Sequence, residues 1–239
     1  MFSSTTRGLA AAAGLAMTTA SLAACAPSSS AHGLSVVATT TQICDYVTQI
    51  AARSTDISLD KTDAAGKNSH VGAAPDGAAL TMSLTCLLAP NASAHEHEMT
   101  PAQTSALAQA DVMAVSGVDL EHFLDDAVVS SGFKGRMVVT SGVLTAADVD
   151  NPGTPDPEGT YTIDRGSERV DVAPWPFPPE EAGEEPEFRF DPHVWTSPKN
   201  AIVQVTNIGA ALEKAAPDQA GDFRNHVDAY VAKLKKLDE

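Results

Sequence analysis

Two histidine motifs hold the residues of this 239-residue chain best suited to chemistry. His95 stands in Ala94-His95-Glu96-His97-Glu98-Met99-Thr100-Pro101, and His193 in Asp191-Pro192-His193-Val194-Trp195-Thr196-Ser197-Pro198. Neutral imidazole is the commonest protein ligand for a borderline divalent metal, so the pair reads as a candidate site for an ion such as zinc. His97, two residues beyond His95, is an alternative first ligand. Glu96 and Glu98 are the nearby carboxylates, and a metal-dependent hydrolase would need one of them as general base beside an open coordination position. No His-Glu-x-x-His spacing accompanies them, which favours capture of the ion over hydrolysis. His32, His70, His122 and His226 occur singly, and each is expected to be solvated or packed.

Two such loops converge only if the strands before them lie side by side. Residues 34–39 (LSVVAT) and 80–88 are apolar and rich in β-branched types, and 112–115 and 137–140 form two further short strand candidates. Helical periodicity follows at 45–52, 100–110 and 120–129, and again at 199–214 and 218–237. Thr100-Pro101 and Ser197-Pro198 each pair a capping residue with a proline at the first helical position. Strands alternating with helices at this spacing predict an α/β fold with a parallel, doubly wound sheet, whose ligands bind beyond the carboxyl ends of the strands. Residues 60–79, rich in Gly, Ala and Asp, read as a loop. Residues 151–190 interrupt the rhythm with prolines and acidic residues and read as an acidic insertion, with a short hairpin over 160–172. Trp175 and Phe177 within that insertion suggest a second reading, a surface adhesion or interaction protein.

The chain opens as a secreted lipoprotein. Residues 1–24 carry a single charge, Arg7, then an Ala- and Leu-rich run ending in Leu22-Ala23-Ala24-Cys25. A basic start, an apolar stretch and small residues before a cut define a secretory signal, and the Cys at the cut reads as a lipobox with Cys25 acylated. Residues 25–33 then form a tether, which would hold the protein on the outer face of the cell membrane. Cys44 and Cys86 remain as an even pair outside the cytoplasm, and they read as a disulfide or as two buried thiols. The net charge of −16 argues against nucleic acid as a partner and favours a mild pull on cations.

These blocks, in order, resemble the zinc- and manganese-binding solute receptors of bacterial ABC importers. The strand and turn Val36-Val37-Ala38-Thr39-Thr40-Thr41 resembles the family's opening. Residues 90–101 occupy the register of a ligand-bearing Pro-Gly-x-Asp-Pro-His-x-Tyr-Glu-Pro-Thr-Pro stretch, with Ser93 and Ala94 in place of its Asp-Pro. Ser116-Gly117-Val118-Asp119-Leu120-Glu121 resembles an Asn-Gly-x-x-Leu-Glu block, and the Asp-Pro-His-x-Trp-x-x-Pro-x-Asn-Ala motif around His193 is complete. The resemblance implies His95 and His193 as ligands, with His97 where the family often carries an aromatic residue. It also implies no enzymatic activity, a zinc or manganese ion as cargo and an ABC permease in the membrane as partner. Residues 34–215 would form the metal-binding lobe, and 216–239 would begin the helix that joins two lobes. The chain stops at Leu237-Asp238-Glu239 within that helical pattern, so the resemblance implies a half-receptor lacking the second lobe and its two further ligands.

Overall fold

Val36, Val37 and Ala38 are all buried, as expected of a strand with a helical layer on both faces. They belong to β1 (Leu34–Ala38), which lies inside a sheet and is paired in parallel with β4 (Leu80–Cys86) on one side and β5 (Val112–Val115) on the other. The structure, a computed structural model, describes residues 33–179, 185–186 and 188–239. Cys25, His32, the leader and most of the tether lie outside the described residues, as do Glu180, Glu181 and Glu184 of the acidic stretch. Among the described residues the sheet has seven strands in the order β3-β2-β4-β1-β5-β6-β7. β2 (Ile57–Thr62), β6 (Arg136–Val139) and β7 (Thr162–Asp164) are parallel to their inner neighbours, and β3 (Asn68–Gly72) runs antiparallel to β2.

Alternate side chains of β1 feed two cores, following the two-residue period of a strand. Val36 packs with α1 (Thr41–Ala51), α5 (Pro198–Ala215) and α6 (Ala220–Leu237) through Ile43, Val47, Val205, Ile208 and Phe223. Val37 packs on the other side with Leu107 of α2 (Pro101–Ala108), Ala127 of α3 (Leu124–Ser131) and Phe133. A short α4 (Ala146–Asp150) follows β6. β4 and β5 lie on opposite sides of β1, so the connection between them crosses the carboxyl end of β1. That crossing marks the switch point at which sheets of this kind bind ligands. A disulfide joins Cys44 of α1 to Cys86 at the end of β4, with the Cα atoms 5.6 Å apart.

Two expectations need correcting. Residues 60–79 are only partly loop, because the end of β2 and β3 form a hairpin in which Asp63 accepts from the backbone N–H groups of Ala65 and Lys67. Exposed polar strands lack the apolar alternation that marks a half-buried strand, so composition misled there. No hairpin occupies 160–172: β7 is a parallel edge strand beside β6, and Thr160 donates to the Phe133 carbonyl just before it. In α6, Phe223, Val227 and Leu234 are buried, and Tyr230 and Val231 pack against the same core. Leu237, 73% exposed, is the exception on that helix.

Candidate metal centre

The connection from β4 to α2 carries His95 and is closed at its ends by one side chain. Gln103 donates from Nε2 to the Leu87 carbonyl at 2.8 Å, and its Oε1 accepts from the Thr100 N–H at 3.0 Å. Thr100 returns the interaction by accepting from the Gln103 N–H at 3.3 Å, a reciprocal cap that starts α2 at Pro101.

The turn after β5 is built under strain. Gly117, Val118 and Asp119 have φ of 87°, 57° and 56°, the left-handed region that a β-branched residue rarely enters. Each non-glycine residue held there costs on the order of 1–3 kcal/mol. Glycine is required at 117, because a Cβ there would lie 2.1 Å from the Val143 carbonyl oxygen. Several bonds hold the turn: the Val118 and Asp119 N–H groups donate to the carbonyls of Val143 and Leu144, and the Asp119 carboxylate accepts from the Ala146 N–H. The buried Glu121 accepts from the N–H groups of Ser116 and Gly117 and from the Thr39 hydroxyl. Burial pushes its carboxyl above the ordinary range, and those three donors pull it back. The outcome is that the Leu120 carbonyl accepts from His95 Nδ1 at 3.0 Å.

His193 is held from its own segment. The Asp191 N–H donates to the Ala173 carbonyl, and one oxygen of Asp191 accepts from both the His193 N–H at 2.9 Å and its Nδ1 at 2.8 Å. Val194 then drops into a cluster with Val143, Val170 and the strained Val118, which ties the two histidine segments together. A carbonyl or carboxylate on Nδ1 assigns the proton to that nitrogen and the lone pair to Nε2 in both rings, an arrangement that recurs in imidazole–metal sites.

The rings of His95 and His193 come within 5.5 Å, centroid to centroid. Two imidazoles bound through Nε2 to one tetrahedral ion at about 2.1 Å would sit about 5.2 Å apart, so the spacing suits a shared ion. His97 is placed apart from the pair: its ring lies 4.9 Å from that of Phe123, and Nε2 is buried without a hydrogen-bond partner. Burial holds its imidazole below the ordinary value, with Gln103 acting in the opposite sense. Glu96 and Glu98 are exposed. Among the described residues, no three His, Cys, Asp or Glu side chains stand ready as a cage for an ion.

Aromatic residues surround the pair. Phe188 lies 4.9 Å from His95, and Trp175 and Trp195 lie 5.9 and 5.3 Å from His193. Phe177, 62% exposed, leans on Trp175. The acidic stretch thus delivers Trp175 and Phe188 to the site, held by a bridge between Pro174 and Phe190. Of the single histidines, His70 bonds Asp60 and the Ala73 carbonyl, and His226 bonds the Ile50 carbonyl. His122 is exposed, as expected, in the turn before α3, and its ring lies 5.3 Å from that of His95.

The fold is shared with solved metal-binding proteins. It is similar to the Zn(II)-bound AdcA of Streptococcus pneumoniae (TM-score 0.51, 18% identity, 87% of this chain and 32% of that one). It is also similar to the metal-dependent lipoprotein YcdH of Bacillus subtilis (TM-score 0.50, 21% identity, 86% and 53%). Residues 77–239 match the family model described as zinc-uptake complex component A periplasmic, ZnuA, and the chain belongs to that family. The family is a metal-binding transporter component rather than an enzyme class. Among curated relatives, the zinc-binding protein AdcA of Streptococcus pyogenes serotype M3 is 48% identical over 50 residues, 21% of this chain and 10% of that protein. The iron-binding protein YfeA of Yersinia pestis is 27% identical over 151 residues, 62% and 37%. The manganese-binding lipoprotein MntA of Bacillus subtilis is 27% identical over 156 residues, 65% and 40%. The matched chain spans less than half the length of each of these relatives.

Proposed function

We propose that this protein captures a zinc or manganese ion outside the cytoplasm for an ABC importer, with His95 and His193 as ligands and Cys25 as its lipid-bearing N-terminus. The observation that carries the reading is the meeting of the two rings at 5.5 Å, each with Nδ1 engaged by an oxygen. The names of the relatives agree with it: one is a zinc-binding protein, one a manganese-binding lipoprotein, and a Streptococcus sanguinis relative a metal ABC transporter substrate-binding lipoprotein. The net charge of −16 adds a general attraction for cations. Protons compete with a metal ion for imidazole, so affinity falls as pH is lowered.

Calorimetric titration of zinc into wild type, His95→Ala, His97→Ala and His193→Ala tests the ligand set. Loss of binding is expected for His95→Ala and His193→Ala, and near wild-type affinity for His97→Ala. Equal affinity in wild type and His193→Ala would sink the reading.

A further inference from the structure

The His95 and His193 pair leaves about half of an ion's coordination positions to other groups, since zinc prefers about four ligands. A third imidazole stands beside the pair. The rings of His122 and His95 are 5.3 Å apart, the same spacing as the pair itself to within a few tenths of an ångström. Both rings lie against Phe188, at 5.8 and 4.9 Å. The backbone of His122 is fixed on the scale of the site, because Leu120, two residues earlier, holds His95 Nδ1 and the intervening Glu121 is anchored by three donors. Its side chain is exposed, with the rings of His95 and Phe188 as its aromatic neighbours. The ring therefore has a fixed root and room to turn.

We propose that His122 is a third ligand of the captured ion, closing on it by side-chain rotation toward His95 and His193. The proposal rests on the assignment of His95 and His193 as ligands and deepens it. The rotation is needed because the three donor atoms do not converge as they stand. Imidazole suits zinc, whereas carboxylate and water suit manganese. A third imidazole from the same side of the site therefore biases capture toward zinc.

The test titrates zinc, and separately manganese, into wild type, His193→Ala and His122→Ala by calorimetry, and records cobalt(II) absorption spectra of all three. His193→Ala is expected to lose both ions. His122→Ala is expected to lose at least about tenfold in zinc affinity, with manganese changed much less, and to weaken the visible cobalt bands as a nitrogen donor is lost. Wild-type zinc affinity in His122→Ala, with His193→Ala impaired, overturns the proposal and leaves the two-ligand reading standing. An unchanged cobalt spectrum in His122→Ala also overturns it, because the residue then acts without touching the ion. Wild-type binding by His193→Ala fells the underlying assignment, so the two failures are told apart.

Discussion

At the scale of single residues, the candidate ligands depend on groups that never reach the ion. Asp191 bonds both the backbone and the ring of His193, so its loss frees the imidazole to rotate and change tautomer. Asp191→Ala is expected to weaken zinc binding about 10- to 100-fold with unfolding by urea little changed; unaltered affinity by calorimetry would remove Asp191 from the account. Glu121 behaves differently because it is buried and satisfies three donors. Glu121→Ala should destabilise the fold by about 3 kcal/mol in urea titrations by leaving the buried Ser116 and Gly117 N–H groups without acceptors. His95 and His193 were legible because each lies in a block whose helix-opening proline follows at fixed spacing. The approach of His122 to His95 was not, because it depends on a turn of three consecutive left-handed residues that a sequence containing Val118 gives no reason to expect.

Helices and strands were readable where burial imposed a period and unreadable where hydrogen bonding alone decided. β5 spans residues 112–115, as its apolar run predicts, and α5 begins at the expected proline. β7 escaped because three residues of mixed polarity between prolines carry no period. It is pinned by charge: Asp164 accepts from Lys214 of α5 at 2.8 Å and from the Gly166 N–H, with Arg136 of β6 nearby. Partial burial would raise its carboxyl, but the Lys214 and Gly166 bonds and the two cations together hold it below the ordinary value. A carboxylate with a depressed folded-state pKa adds stability above its unfolded value, and that stability disappears as pH falls through the folded value. Lys214→Met should therefore cost about 0.5–1 kcal/mol at pH 7. The difference from wild type should shrink as pH drops below about 4. A gap that persists undiminished at low pH would mean that the ion pair is not its source.

Across the whole molecule, the Cys44–Cys86 bridge closes a 42-residue separation and staples the α1 layer to β4, directly beneath the connection that carries His95. Cys44→Ala combined with Cys86→Ala should lower stability by about 4 kcal/mol, read from urea midpoints under non-reducing conditions; equal midpoints would deny the bridge a stabilising role. Membrane attachment is tested by Cys25→Ser, expected to move the protein from the membrane fraction to the soluble one. Retention of that variant on membranes would refute acylation at Cys25. The placement of the indoles has a practical result. The chain has two tryptophans, Trp175 and Trp195, and both flank one imidazole, that of His193. Their emission is therefore a built-in optical gauge of what happens at that ring. Adding zinc to the unlabelled protein should change the fluorescence saturably, and the change should vanish in His193→Ala, so occupancy can be followed in real time without a dye or a tag.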